Sequence, residues 1–244
     1  MRPRTAMVLA AGLGTRMRPL TRDTAKPLLP LAGRTLLDHA LDHLARAGVE
    51  RVVVNGHWHS ERVAAHLAAR RGGPETVFRH EETLLDTGGA VRAALAEALL
   101  GPEPFFVVNG DAFWLDGPGS ALQRLAEALD PARFDAVLLC HRTCQVPAEL
   151  GAGDFALDPW GTPRRRRERE IVPYIFAGVQ VLRPALFEGA PEGPFSMNLL
   201  WDRGLAAGRL RALVHDGLWF HLSAPPDLTA AETTLALRRT GETR

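Results

Sequence analysis

The sequence predicts an α/β fold: a Rossmann-like, doubly wound and mainly parallel sheet, with a smaller hairpin region in its second half. Three observations lead there. Short apolar or β-branched runs alternate with amphipathic stretches as far as residue 110, the order expected of βαβ units with right-handed crossovers. Residues 105–108, Phe-Phe-Val-Val, carry no polar side chain, as suits a strand buried on both faces. Turn residues gather at Pro159-Trp160-Gly161 between two short strand-like runs, which marks a hairpin.

Taken in order, the first strand covers 6–9 and breaks into the turn Ala10-Ala11-Gly12-Leu13-Gly14. A helix is expected over 35–47, because Leu36, Leu37, Ala40, Leu41 and Leu44 recur at helical spacing and Gly48 suits a C-terminal cap. The run 49–54 is a second strand, 60–71 a helix closed by Gly72-Gly73-Pro74, and 76–79 a third strand. Residues 87–100 read as a helix capped by Asp86 or Thr87. Strand 105–108 follows, and the loops after Leu9, Val54 and Val108 should share the carboxyl edge where such sheets bind ligands. The second half reads as a helix at 120–129, a strand at 135–140 and a hairpin from 154 to near 171. A strand at 174–182, a helix at 197–206, strands at 210–214 and 218–222, and a closing helix at 225–239 complete it. No repeat or low-complexity segment interrupts this order, so 1–244 is read as a single domain. Its two halves, 1–111 and 112–244, divide near Asp111.

A net charge of +1 supplies no global field for nucleic acid or an anionic membrane. No apolar run approaches the roughly 20 residues of a membrane span, and no export signal opens the chain. Cys140 and Cys144 are too few for a disulfide framework and are expected to be reduced thiols in a cytoplasmic protein. The basic run 164–169 reads as a solvated hairpin arm alternating with Glu168 and Glu170, in preference to a phosphate patch.

The turn after the first strand carries the strongest chemistry. Glycines at a strand exit let backbone N–H groups approach an anion, so Ala11, Gly12, Leu13, Gly14 and Thr15 form a candidate phosphate cradle. Arg16, Arg18 and Lys26 add positive donors to the same loop. A dinucleotide fingerprint would need glycine where Met17 stands, and a Walker loop would need Gly-Lys where Gly14-Thr15 stands. The stretch from Leu13 to Lys26 reads as a lid that orders on triphosphate binding. Asn109-Gly110-Asp111 leaves the buried strand directly, placing a carboxylate where Mg²⁺ and phosphates could meet.

As a whole, Gly12-Leu13-Gly14-Thr15-Arg16-Met17-Arg18-Pro19-Leu20-Thr21 followed by Lys26-Pro27 closely resembles the G-x-G-T-R-x-x-P-L-T…K-P signature of the sugar-1-phosphate nucleotidyltransferases. The resemblance implies a fold of the nucleotide-diphospho-sugar transferase type. It implies Arg16 on the β- and γ-phosphates, Lys26 bridging the α-phosphate and the acceptor phosphate, and Asp111 holding Mg²⁺. Asn109 would contact nucleotide or acceptor. Glu82 to Ala90 is similar to the family's E-x-x-L-x-T-G-G segment, which assigns Gly88 and Gly89 to the nucleobase. Gly151-Ala152-Gly153-Asp154-Phe155 and Phe176-Ala177-Gly178-Val179 resemble segments of the uridylyltransferases that act on N-acetylmuramic acid α-1-phosphate. They imply Gly153, Asp154 and Gly178 on the sugar side, with Glu170 as an acceptor for sugar hydroxyls. Asn198 and Asp202 share a helix face as polar contacts or plain surface; Asp202 is assigned to the surface.

One segment departs from the pattern. Where the family carries W-x-D-x-G-T-P, this chain reads Trp219-Phe220-His221-Leu222-Ser223-Ala224-Pro225. His221 thus stands where a second metal-binding aspartate is expected, and imidazole suits softer ions than Mg²⁺. The partners implied are a nucleoside triphosphate, UTP before others, and a sugar 1-phosphate, N-acetylmuramic acid α-1-phosphate before others, a role in peptidoglycan recycling. Mannose-1-phosphate guanylyl transfer and glucose-1-phosphate thymidylyl transfer are the alternatives within the class. A non-catalytic nucleotide-binding regulatory module is the alternative outside it.

Overall fold

The computed structural model describes residues 2–146 and 151–241. The first half runs β1 (Thr5–Leu9), the short pair β2 (Pro30–Leu31) and β3 (Arg34–Thr35), α1 (Leu36–Arg46), β4 (Arg51–Gly56), α2 (Ser60–Ala69), β5 (Glu75–His80), α3 (Asp86–Ala96) and β6 (Phe105–Asn109). The second half runs β7 (Phe113–Leu115), α4 (Ala121–Ala128), β8 (Ala136–Arg142), β9 (Phe155–Leu157), β10 (Pro163–Arg165), β11 (Tyr174–Leu182), α5 (Asn198–Ala206), β12 (Leu210–Val214), β13 (Leu218–Phe220) and α6 (Pro225–Gly241).

Helix starts follow local chemistry. Thr35 caps α1 by accepting from the Asp38 N–H, and Ser120 caps α4 by accepting from the Gln123 N–H. Gly48, at φ 80°, follows α1 as the reading of its C-terminus requires.

Strands β5, β4, β1 and β6 lie side by side and parallel. Alternate residues face opposite cores. Val8, Val54 and Val108 pack with α1, α2 and α4; Met7, Val53 and Val107 pack with α3 and α5. The expected doubly wound sheet is therefore present. The chain passes from β1 to β4 on one side and to β6 on the other, so a topological switch point lies at the carboxyl ends of β1 and β6.

Beyond β6 the sheet turns mixed. β11 pairs antiparallel with β6 and β8, and β12 pairs parallel with β8. A register shift between Phe176 and Gln180 breaks the β11–β8 ladder at Gly178. On the β6 edge of β11, β6 ends opposite Val179 and β9 begins opposite Tyr174. The four residues between them, a span of five steps and about 16 Å at about 3.3 Å per residue, leave one side of β11 open.

Four expectations need correction. The helix expected at 87–100 is α3, which starts at Asp86 and stops at Ala96, and no side chain caps it. The hairpin's second arm ends at Arg165 rather than near residue 171, because Arg167 to Glu170 is folded into a turn by the Glu170 N–H on Arg167 and the Arg167 N–H on Glu170. The strand expected at 218–222 is the shorter β13, and its partner β7 was not expected, being three residues long and too short for a periodic signal. The loop from Leu13 to Lys26 is a wall, not a lid. Met17 is fully buried with Leu31, Leu36, Phe113, Leu222 and Leu235, and burying each such side chain contributes roughly 1.5–3 kcal/mol. Thr21 is buried as well; its hydroxyl donates to the Gly14 carbonyl at 2.7 Å, and the Trp58 indole donates to the Thr21 carbonyl at 3.0 Å. Among the described residues no helix is long and apolar enough to cross a membrane.

Candidate active site

A cleft of about 520 Å³ opens at the carboxyl ends of β1, β4 and β6, walled by the turn from Ala10 to Met17. Gly14 adopts φ 59°, a left-handed conformation that reverses the chain into a short 3-10 turn over Thr15–Met17. Among the described residues nothing accepts the N–H groups of Gly12, Leu13 or Gly14. Gly12 needs no unusual φ, and a Cβ added there would meet no atom within 4 Å. Its missing side chain therefore serves the open cleft rather than the fold. Free N–H groups beside a bare Cα suit a close-lying phosphate chain.

A second cleft of about 540 Å³ lies along the open side of β11 and is lined by Asp154, Phe176, Gly178, Trp201 and His221. Arg16, Lys26, Asn109 and Asp111 line both clefts. The three residues read as catalytic thus stand where the two spaces meet. Lys26 pairs with Asp111 through its ammonium, and Lys26 is the more buried partner. This cation is held in place by a carboxylate that itself faces the junction.

The other expected site residues divide. Asn109 faces both clefts, and Gly178, at φ 78°, lets β11 pass within about van der Waals distance of Asn109 and Ala112. Asp154 lines the second cleft and accepts the Phe176 N–H at 2.9 Å. Gly88 and Gly89 line neither cleft. Their N–H groups donate to the Phe195 carbonyl, and added Cβ atoms would come within 2.3 Å of the Phe195 ring and 2.4 Å of the Gly193 carbonyl. The glycine pair admits the 193–196 loop, and Asp86 and Thr87 face the cleft in its place. Gly153 is also outside both clefts, shaped by φ 74° and by the Val172 carbonyl 2.2 Å from its absent Cβ. Glu170 does not reach the cleft either. Arg164 binds its carboxylate through two hydrogen bonds and, with the Arg167 N–H, holds its pKa down at about 2.

His221 lines the second cleft. Burial holds its pKa below the ordinary value, with Arg16 and Lys26 adding to that and Asp227 and Asp111 opposing it. The imidazole is mostly neutral at pH 7 and can offer a lone pair. Ser223 and Ala224, which replace the expected Gly-Thr turn, are fixed by the Asp227 carboxylate, which accepts both N–H groups. Among the described residues no three His, Cys, Asp or Glu side chains form a ready metal cage. Cys140 is buried, Cys144 exposed, and both are free thiols.

Two contributions were missed in the sequence. The first is a buried relay under the first cleft. The Ala10 N–H donates to Asn55 Oδ1 at 2.7 Å, Asn55 Nδ2 donates to Glu81 Oε1 at 2.9 Å, and Glu81 Oε2 accepts the Leu85 N–H at 3.2 Å. It ties β1, β4 and the start of α3 into one floor. The signal was present, since Asn55-Gly56 ends its strand just as Asn109-Gly110 ends β6. The second is Arg165. It leaves the basic run to stack over Phe155 and Trp201 and to bond Asp202 and Asn198. No periodicity distinguishes it from its neighbours in the run.

A family model described as the MobA-like NTP transferase domain matches residues 6–224. The chain is 43% identical over 238 residues, 96% of its own length and 98% of the relative's, to an N-acetylmuramate alpha-1-phosphate uridylyltransferase of Caulobacter vibrioides. It is 32% identical over 237 residues to a protein of the same name from Neisseria meningitidis serogroup B, covering 93% and 96% of the two chains. Among solved structures, a UDP-glucose pyrophosphorylase complexed with UDP-glucose superposes with a TM-score of 0.81 at 15% identity, over 97% of this chain and 99% of the other. That likeness concerns the fold.

Proposed function

The chain belongs to the sugar-1-phosphate nucleotidyltransferases with a MobA-like NTP transferase domain, and from that premise we propose that it transfers a uridylyl group from UTP to N-acetylmuramic acid α-1-phosphate. An oxygen of the sugar phosphate attacks the α-phosphorus, a new P–O bond forms, and the bond to the pyrophosphate leaving group breaks. Such chemistry depends on positioning and charge neutralisation more than on a nucleophilic side chain. The observation that carries this reading is the convergence of Arg16, Lys26 and Asp111 where the two clefts join.

In this reading the N–H groups of Ala11 to Thr15 hold the triphosphate. Arg16 neutralises the β- and γ-phosphates and the leaving group, and Lys26, poised by Asp111, lies between the α-phosphate and the acceptor phosphate. The relay through Asn55 and Glu81 fixes the floor beneath the nucleotide. Mg²⁺ fits this donor set in the form that ion favours, with one or two protein ligands completed by substrate phosphates and water. Asp111 would be its principal ligand and His221 a weaker one. Bound there, the ion would neutralise phosphate charge. Residues 1–111 then act as the nucleotide side and 112–244 as the acceptor side. Because N-acetylmuramic acid is a peptidoglycan sugar, the activity would belong to peptidoglycan recycling in the cytoplasm.

Pyrophosphate release tests the reading directly. The purified protein is assayed with UTP and N-acetylmuramic acid α-1-phosphate, GTP and mannose 1-phosphate, and dTTP and glucose 1-phosphate. The first pair should be turned over fastest. Release with none of them would leave a nucleotide-binding regulatory module as the surviving account.

A further inference from the structure

The open side of β11 has two ends of different character. At one end, β6 delivers Asn109 and Asp111 beside Lys26; at the other, β9 and β10 deliver Phe155 and Arg165. Because β6 stops opposite Val179 and β9 starts opposite Tyr174, the two ends are separated by about 16 Å of backbone, at about 3.3 Å per residue. Once side chains have filled part of that distance, it suits one substituted hexose phosphate lying along the strand.

Arg165 is the cation of the far end. Nε donates to Asp202 Oδ1 at 2.7 Å and Nη2 to Asn198 Oδ1 at 2.8 Å. The guanidinium carbon lies 4.8 Å from the centre of the Phe155 ring and 5.5 Å from that of Trp201. Its Nη1 has no hydrogen-bond partner among the described residues, and the side chain lines the cleft. Asp202 is more than half exposed, and so exposed a carboxylate orients an arginine without cancelling its charge. The neighbouring Arg166, Arg167 and Arg169 line a smaller hollow that shares Arg165 and Asp154 with this cleft, but they do not line the cleft itself. Arg165 is thus a preorganised guanidinium with an unspent edge, in the geometry that arginine uses to hold carboxylates.

We propose that Arg165 is a specificity residue that pairs with a carboxylate carried by the acceptor sugar, at the opposite end of the sugar from its phosphate. This rests on the uridylyltransferase reading above. N-acetylmuramic acid differs from N-acetylglucosamine by a lactyl ether bearing one carboxylate, so the two α-1-phosphates isolate the interaction. A site built around such a group discriminates strongly against the analogue that lacks it.

The test measures kcat/KM with UTP for both sugar phosphates in the wild type, Arg165→Met and Arg165→Lys. Arg165→Met should lose about 10–100-fold for the carboxylated sugar, the range expected for a charge-assisted hydrogen bond, mainly through KM. Its value for the neutral sugar and its KM for UTP should stay within about twofold. Arg165→Lys should recover part of the loss, because charge remains while the fork geometry goes. Thermal unfolding of each variant checks that the hairpin still packs, and Asp202→Asn, which loosens the guanidinium without removing its charge, should give a smaller loss of the same sign. Equal losses for both sugars, or no loss for the carboxylated one, would overturn the proposal. A wild type that turned over neither sugar with UTP but did use another pair would overturn the underlying reading, a result distinct from any pattern among the variants.

Discussion

The two clefts are of nearly equal volume, yet they are built in opposite ways. The first cleft, the one proposed to take the nucleotide, is walled by one contiguous turn in which Gly12 is bare and, among the described residues, nothing accepts three backbone N–H groups. The second, the one proposed to take the acceptor, is lined by residues brought in from β10, β11, α5 and the turn after β13. Backbone donors suit a group shared by every nucleoside triphosphate, whereas side chains can be exchanged to suit one sugar. In the proposed reading, the general chemistry lies on the first wall and the selectivity on the second.

The largest expected effect lies at the junction, which belongs to both walls. Lys26→Ala or Asp111→Ala should lower turnover by at least about 10²–10³-fold, the scale of a lost electrostatic contact to the transition state, with an unchanged unfolding midpoint. Near-normal pyrophosphate release in either variant would remove the junction from the mechanism. Next comes Gly12→Ala, whose Cβ enters the phosphate cradle without clashing with the protein. KM for UTP should rise roughly tenfold or more, about 1.4 kcal/mol, while KM for the sugar phosphate changes little. A matching rise for both substrates would show that the walls are not separable.

Gly89→Ala provides the contrast. Its Cβ would press on the Gly193 carbonyl at 2.4 Å, so the cost should be about 1–3 kcal/mol of stability, a fall in Tm of about 2–4 °C for each kcal/mol. A stable variant with impaired UTP binding would instead return this glycine pair to the nucleobase.

Acid should loosen the acceptor wall. Strand β13 rests on His215, whose Nε2 lies within hydrogen-bond distance of the Leu218 carbonyl, and Trp219 packs on His141. Burial, reinforced by His215 and Arg142, pushes the pKa of His141 down to about 4, and burial lowers that of His215. The unfolded chain, with histidine near 6.5, then binds protons that the fold rejects. This stability is fully present above pH 6.5 and is lost as pH falls toward 4. Denaturation midpoints across that range should decline by an amount on the order of 1 kcal/mol, and His141→Phe should flatten the decline. An unchanged slope would mean that the ring does not resist protonation.

The smallest effect concerns His221. His221→Asp should lower the ratio of Mn²⁺- to Mg²⁺-supported activity by a few-fold, since a carboxylate favours the harder ion. A constant ratio would place the imidazole outside the metal's reach.

Much of the fold was readable in advance, because the parallel strands are apolar on both faces and their helices keep helical spacing. Strand 174–182 and helix α1 lie where periodicity puts them. The short strand β7 escaped, since three residues carry no period, and β10 and β13 proved shorter than the runs expected for them. At the site, Arg16, Lys26 and Asp111 were legible because they flank one turn and one strand end. Gly88 and Gly89 were legible as a motif, but the close approach of Phe195 and Gly193 was not, because those neighbours lie more than 100 residues away in sequence.

The sequence by itself determined the doubly wound frame and the glycine turn at the exit of its first strand. Both arise from interactions between residues near one another in the chain: periodic apolar faces, a strand exit, bare glycines and adjacent cations. Only the tertiary structure decided that the turn from Leu13 to Lys26 is an anchored wall, that Glu170 is committed to Arg164, and that Arg165 stands at the far end of the acceptor cleft. Each of those outcomes depends on which distant side chain reaches a charged or buried group first, and that competition is settled by packing, not by local spacing.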